Sequence, residues 1–508
     1  MRLTIGFLML FISVCGAEGQ TIFGKRINLN KDGKYAGVYI QPLAEEGFLL
    51  VGQVNTGLLA GSGEWELVHF DTTFQPQGEP LRISTDYKGY IGDMSYHDGK
   101  AYILIESEFK LVKLNREFKV FQMDLTNHSL KTLTATANKA RIHPNLQVVG
   151  NRAFLLSVKY KRELLVQEFN FESMTTSDQE MTIYEGKVKD LPSAWHVNPE
   201  NLSAVAVYKT YSWEFKNGKG MPGTLPIVSG DLKEELHNVG AYALEEGDYL
   251  YMGSYRFKKG ESGLVLIRRK GRDMDYERRY DLRSLAELQR FLRAHSDDKE
   301  LKQFIKRFGD GAEPFDQNEM AFHEVSRWGD TVLFSVELRG PIFQTNSITN
   351  AATGNPMSTS INVVGFYHPF TLLMQFDLRN GDLLWHGVAK VDGKEIIDMI
   401  GPYDNVSNRL FSRYFLDKEK NELIVLVKND NNEIIKTTFD LSGANPPRKM
   451  TAAIRATKAS KSSAEVKHDA NAYIFPMYGN RMLLLGREKS GGLLDGTKEY
   501  FVQELIAN

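Results

Sequence analysis

A strand-sized unit recurs about eight times along this chain, and that recurrence constrains the fold more than any other feature. Each unit has an apolar strand, a short break, a second strand ending near an Asp or Asn, and a turn. The segments fall at 48–54 with 65–70, 101–105 with 118–123, 153–158 with 164–171, 249–255 with 263–268, 331–338 with 372–376, 423–428 with 433–439, and 481–486 with 499–506. Residues 203–208 open one further unit. Many units begin with a turn placed just before the apolar strand, as in Asp98-Gly99-Lys100, Val149-Gly150-Asn151, Trp328-Gly329-Asp330 and Tyr478-Gly479-Asn480. Turn chemistry beside short apolar runs reads as antiparallel strands. Such a sheet cannot bury both faces alone, whereas repeating it around an axis buries both. The expected fold class is therefore all-β, a β-propeller of seven or eight degenerate blades with a helical insertion.

The clearest unit is Phe376-Asp377-Leu378-Arg379-Asn380-Gly381-Asp382-Leu383-Leu384-Trp385. Asn380-Gly381 is a strong turn dipeptide, with a strand on each side. This stretch resembles the repeat of pyrroloquinoline-quinone-type propellers, in which an Asp at a strand end, a Gly turn and a Trp lock neighbouring blades. The match is confined to Asp377, Gly381 and Trp385, so the resemblance implies a propeller and gives no ground for a quinone cofactor. The whole chain is similar in texture to secreted propeller repeat proteins of Bacteroidota-type bacteria, without matching a named family.

The amino terminus predicts export. Arg2 supplies a positive start, residues 5–14 form a short apolar run, and Ala17 and Gly19 place small residues before a cut at Gln20. Residues 1–19 are thus expected to be a signal peptide, and 20–508 a single propeller domain. A lipid-anchored leader would use Cys15, but Val14 stands where such signals carry a small residue. Cys15 is the single cysteine, so the chain after the leader has no disulfide, thiolate metal site or cysteine nucleophile. No later segment is long and apolar enough to be a membrane helix. The formal net charge of −2 gives no global field favouring nucleic acid.

Several segments interrupt or flank the strands. Residues 21–30 read as a lone strand. Residues 284–308 read as helical, with Ser284 and Glu287 in a capping-box pattern and two apolar faces, Leu285, Leu288, Phe291 and Leu292, then Leu301, Phe304, Ile305 and Phe308. The expectation is a helical element packed on the propeller side. Residues 340–365 are polar and rich in Asn, Ser and Thr, which reads as a long loop, and the basic, Ala/Ser-rich run 443–470 reads as a flexible loop.

No nucleotide-binding loop, nucleophile elbow or zinc-protease spacing occurs. Glu319, His323 and Glu324 are the nearest approach to a metal cluster and read as a surface pair; Asn429 to Glu433 reads as turn chemistry rather than a calcium loop. No metal or other cofactor is expected. The basic group Arg268, Arg269, Lys270, Arg272, Arg278 and Arg279 reads as a solvated hairpin with interleaved acids. Asn127, Asn201 and Asn405 head glycan-acceptor triplets, and Asp71-Thr72-Thr73 and Asp330-Thr331-Val332 resemble short O-glycosylation sites. Tyr211, Trp213 and Phe215 alternate on one strand face, with Trp195 nearby. With Phe343, these aromatics are the candidate binding residues, suited to stacking on a glycan or peptide at the loop-rich face. The expected function is a non-catalytic binding or scaffold module, periplasmic, cell-surface or extracellular, for protein or glycan partners. The rivals are a glycan-processing hydrolase or lyase with carboxylates or histidines converging on the axis, and a subunit of an outer-membrane assembly.

Overall fold

A computed structural model describes residues 21–29, 34–54, 63–87, 89–107, 115–138, 140–142, 146–159, 163–182, 194–197, 204–208, 211–216, 219–220, 225–226, 236–245, 248–256, 262–270, 273–298, 301, 320–322, 325–349, 356–396, 412–417, 420–428, 434–442, 447–454, 473–478, 481–490 and 497–507. The leader, Phe304, Ile305 and Phe308 of the expected helical insertion, residues 455–470 of the basic run, the Glu319, His323 and Glu324 group, and Asn429 to Glu433 lie outside them.

The described strands form eight antiparallel sheets of four or five strands, arranged as a β-propeller. In chain order, sheet 1 spans residues 35–85, sheet 2 spans 89–138, sheet 3 spans 140–182, and sheet 4 spans 194–226. Sheet 5 spans 236–281, sheet 6 spans 320–396, and sheet 7 spans 412–454. Sheet 8 takes three strands from 473–507 and its outermost from Thr21–Asn28. The segment that read as a lone strand therefore closes the ring. It pairs antiparallel with Thr497–Ala507, Thr21 opposite Ala507 and Asn28 opposite Phe501.

Buried apolar side chains show how the sheets pack. One cluster joins Leu49, Val51 and Trp65 of sheet 1 to Ile103 and Phe121 of sheet 2. Another joins Tyr102 and Phe118 of sheet 2 to Leu155 and Phe169 of sheet 3. Further clusters bridge sheets 5 and 6, 6 and 7, 7 and 8, and 8 and 1. Sheets 1, 2, 6, 7 and 8 thus bury both faces against their neighbours, which explains strands that are apolar at nearly every position rather than at every second one. The first strands pack on one another around the inside: Tyr35–Pro42 touches Gly89–His97, which touches Gln147–Val149, which touches Ala194–Val197.

One local device recurs at the ends of third strands. An Asp or Asn accepts a hydrogen bond from the backbone N–H two residues on, at Asp71, Asp124, Asn170, Asp377 and Asp440, with distances of 2.8, 2.9, 3.0, 2.8 and 2.9 Å. Asp281 does the same at 2.9 Å at the end of the fourth strand of sheet 5. This is the Asx turn that makes Asp and Asn favourable where a strand must stop. In four cases the intervening residue also pegs the turn to the preceding hairpin. The N–H of Leu125, Phe171, Leu378 and Leu441 donates to the carbonyl of Gly99, Asn151, Asp330 and Asn421 at 2.8–3.0 Å. Leu125, Phe171 and Leu378 are buried, so one residue supplies both a hydrogen bond and core volume.

Two expected loops are strands. Residues 340–349 and 356–365 extend the central hairpin of sheet 6, whose strands run Thr331–Thr349 and Pro356–Asp377, 19 and 22 residues. Within the basic run, Arg448–Ile454 is the outermost strand of sheet 7, paired with Ile434–Asp440. Lysine and arginine suit such an outer strand because they discourage edge-to-edge association.

The helix spans Ala286–Ala294 and buries Leu288, Phe291 and Leu292 against sheet 6, with the Phe291 and Phe370 rings 5.2 Å apart. The capping box does not form. Ser284 lies in a preceding turn and donates to the Asp281 carbonyl at 2.7 Å. Instead His386 of sheet 6 accepts from the Glu287 N–H through Nε2 at 3.0 Å. Burial holds the His386 pKa below the usual histidine value, which keeps that nitrogen free to accept.

The Asx turns set an acid limit. Two bonds from Arg379, with its backbone N–H, hold the Asp377 carboxyl down at about 2; Asp71 and Asp281 are also lowered, against the opposing effect of burial, by hydrogen bonds from Gln75 and Thr73 and from Arg283. An unfolded aspartate titrates near about 3.9. Because the unfolded chain takes up protons first, this stabilisation is complete above that range and is lost as pH falls towards about 2. The expected outcome is a melting temperature that drops between about pH 4 and pH 2, with a shallower drop in Asp377→Asn; circular-dichroism melts across that range check it.

Candidate functional site

The turn at 377–385 joins three sheets. Asp377 and Asp382 close it, the Asp377 N–H donating to the Asp382 carbonyl at 2.9 Å and the Gly381 N–H to the Asp377 carbonyl at 2.8 Å. Sheet 5 holds it from one side. Arg268 is fixed by Asp248 through two bonds of 3.1 and 2.6 Å and donates a third, 2.6 Å, to the Leu378 carbonyl. Tyr276 donates to the same oxygen at 3.2 Å, and Tyr280 donates to the Gly381 carbonyl. Burial pushes the Tyr276 phenol up to about 12, so it keeps its proton at neutral pH. Gly381 has φ +76°, and a Cβ there would lie 2.6 Å from the Tyr276 ring, so both backbone and space require glycine. On the other side Trp385 donates from Nε1 to Gln375 and stacks on Phe439 of sheet 7 at 5.8 Å. The basic group that read as a solvated hairpin is thus partly structural: Arg268 bridges sheets 5 and 6, and Arg269 is buried.

Beside this lock, sheet 6 grows into a ribbon. Past Leu338 the two central strands stay paired from Gly340 opposite Tyr367 to Thr349 opposite Pro356. The outermost strand of the sheet, Leu383–Ile396, follows as far as Ile396 opposite Gly365. At about 3.4 Å per residue, residues 340–349 carry the hairpin roughly 30 Å beyond Leu338. Register shifts mark its base, between Leu338 and Gly340 on one strand and His368 and Phe370 on the next.

A buried polar network sits at that base. His368 Nδ1 lies 2.5 Å from Glu337 Oε1. Ser412, on the first strand of sheet 7, donates to Glu337 Oε2 from its N–H at 3.0 Å and from its hydroxyl at 2.8 Å. Because that hydroxyl proton goes to the carboxylate, Thr371 supplies the proton of its 2.7 Å bond to Ser412. All four side chains are buried. Serine and histidine both point at the carboxylate and not at each other, so histidine is not placed to draw a proton from serine. What the geometry does is tie sheet 6 to sheet 7 where the ribbon leaves the propeller.

The aromatic candidates divide between two sheets. Trp195, Ala206 and Trp213 share a cross-strand row of sheet 4. Trp195 is 4% exposed and belongs to the core rather than to an open platform. His196 beside it has its pKa lowered by burial. Tyr211, Trp213 and Phe215 occupy alternate positions of the strand Tyr211–Lys216, as the spacing required. Phe343 lies on the ribbon of sheet 6, opposite Val363. Glu337, His368 and Ser412 were not singled out from the sequence. Their one visible signal is a polar residue within an otherwise apolar strand, as in Val336-Glu337-Leu338 and Tyr367-His368-Pro369. Among the described residues no group of three His, Cys, Asp or Glu could hold a metal ion, and no helix is long and apolar enough to cross a membrane.

No protein-family profile and no curated protein sequence matches the chain. Among solved structures it is similar to the WD40 domain of SCAP from fission yeast, at 9% identity and a TM-score of 0.40, covering 92% of this chain and 98% of that one. It is similar to the cobalt-substituted apocarotenoid oxygenase ACO of Synechocystis at 11% identity and a TM-score of 0.31, covering 48% of this chain and 62% of the oxygenase. A neuraminidase-like protein, subtype N11, of A/flat-faced bat/Peru/033/2010 gives 7% identity, 70% and 83% coverage and a TM-score of 0.29. The propeller assignment rests on sheet order and packing, not on these likenesses.

Without the Glu337 carboxylate, His368 Nδ1 and the Ser412 N–H lose the acceptor they share, and a buried polar group left unsatisfied costs about 1–3 kcal/mol. Glu337→Ala removes the acceptor of all these bonds and is expected to lower unfolding stability by more than Ser412→Ala, which loses one hydroxyl bond to the carboxylate, about 1–3 kcal/mol. Urea unfolding of the two variants checks the order.

Proposed function

We propose that this chain is an exported, non-catalytic β-propeller that binds a macromolecular partner, protein or glycan, with residues 1–19 serving as its export signal. The observation that carries this reading is the ribbon of sheet 6. Strands in globular proteins average about five or six residues, and these run 19 and 22. The root of the extension is tied down by Glu337, His368, Thr371 and Ser412 on one side and by the 377–385 lock on the other. A rigid body that holds out a defined element at a fixed angle suits recognition, because the element is presented with little ordering entropy left to lose on contact. Phe343, the aromatic candidate on this ribbon, gives it one large apolar anchor of the kind that concentrates binding energy.

The test is native purification from the producing cell, comparing soluble and membrane fractions, alongside a variant in which residues 344–362 are replaced by Asn-Gly. That turn joins Phe343 to its cross-strand neighbour Val363. The expected outcome is a defined co-purifying partner with the intact chain and its loss with the shortened one, at an unchanged melting temperature. Equal capture by both chains would remove the ribbon from the reading.

A further inference from the structure

The ribbon belongs to the longest charge-free run in the chain. From Gly340 to Phe376 there are 37 residues without Asp, Glu, Lys or Arg. A chain with one residue in four charged would place about nine there. The next longest such run, residues 47–63, is less than half that length. Part of the 37 is core strand, residues 370–376, where charge is unwelcome on any account. For the ribbon strands 340–349 and 356–366 the absence of charge is the feature to be explained.

The register sorts this part into two faces. Gln344 opposite Asn362, Asn346 opposite Ser360 and Ile348 opposite Ser358 fall on one. Phe343 opposite Val363, Thr345 opposite Ile361 and Ser347 opposite Thr359 fall on the other. Both strands are rich in the β-branched residues that favour extended backbone. Among the described residues, no strand pairs with the outer side of 340–349: Met320–Phe322 reaches only to Leu338. Exposed edges are ordinarily guarded by lysine, inward-pointing charge, bulges or proline. Here the guards are Pro341 at the root and register shifts between Ile342 and Phe343 and between Ile348 and Thr349, with no lysine or other charge between them, whereas the outermost strand of sheet 7, Arg448–Ile454, does carry basic residues.

We infer that the edge of residues 342–349 is a strand-addition surface whose occupant is the same edge of a second copy of this chain, paired antiparallel about a two-fold axis. This rests on the reading of the ribbon as a recognition element. A two-fold antiparallel pair needs a segment complementary to itself. An uncharged segment meets that condition, since no like charges are brought face to face, whereas a charged edge would repel its own copy. Backbone N–H and C=O groups supply the attraction, and the amide and hydroxyl side chains repeat across the joint.

The experiment uses the chain from Gln20 onward and follows its mass by sedimentation equilibrium over a hundred-fold range of concentration. The expected result is a monomer–dimer equilibrium that Thr345→Lys with Ser347→Lys shifts to monomer, weakening association at least ten-fold without moving the melting temperature. Cys15 is the single cysteine and is absent from this chain, so Asn346→Cys provides a clean reporter, expected to form a disulfide-linked dimer under mild oxidation. The proposal is overturned by a monomer at every concentration, by a dimer indifferent to the paired lysines, or by a monomer that binds vesicles of neutral phospholipid through the ribbon. A monomer that still loses its co-purifying partner when 344–362 are removed sinks self-pairing alone and leaves partner recognition standing.

Discussion

The constraint on which the rest depends is that a four-stranded sheet apolar on both faces has no stable existence alone. Leu49, Val51, Leu67 and Ile103 are buried because sheet 1 and sheet 2 face each other, and each sheet meets the same demand on its other side. The demand ends only when the ring closes, and closure is the work of Thr21–Asn28 on Thr497–Ala507. That pairing joins residues almost 500 positions apart. Its loop-closure entropy grows only logarithmically with the intervening length, so the joint is affordable once the intervening sheets are packed.

Burial fixes how far apart the sheets lie but not how they are aligned, and the Asx turns supply the alignment. At Leu125, Phe171 and Leu378 one residue inserts a side chain into the core while its N–H reaches the preceding hairpin. The device is strongest at 377–385, where Arg268, Tyr276 and Tyr280 reach from sheet 5 and Trp385 reaches Phe439 of sheet 7. These are charge-assisted or buried hydrogen bonds to backbone carbonyls, which hold one geometry better than apolar contact does. The same corner of the ring carries the Glu337 network, so sheet 6 is held to both neighbours.

Much of this was legible because it is local. Apolar runs of strand length, Gly99 and Gly329 in left-handed turns, and Asp-Leu pairs at strand ends are each encoded within a few residues. The joint of 21–28 to 497–507 and the meeting of Glu337, His368 and Ser412 are not, since no short window contains both partners. Composition misled at 340–365, where Asn, Ser and Thr suggested a loop although a hairpin satisfies their backbone and Thr, Ile and Val favour extension. It misled again at 448–454, where basic residues suggested disorder and instead mark an outer strand. Trp195 was read as part of an aromatic face open to ligand, but a strand placed inside the ring buries it. Ser284 and Glu287 had the spacing of a capping box, and the position was taken by His386, a competitor from another sheet.

The ribbon inverts the logic of the ring. Inside the ring the described strands are stabilised by apolar clusters shared between neighbouring sheets, and the buried charged groups Glu337 and Asp248 are hydrogen-bonded. An isolated two-stranded hairpin in water is marginal at best, and this one departs from the sheet with neither a described core against it nor charge along it. Its persistence as paired strands depends on the three-stranded stem below, where Leu383–Ile396 still runs alongside, and on the register fixed at Phe370 and Glu337. A one-residue slip in the stem would exchange the faces of Gln344 and Phe343 along the whole extension. The buried network at the root therefore does more than join two sheets: by fixing the register of residues inside the core, it fixes which residues the ribbon shows to whatever meets it outside.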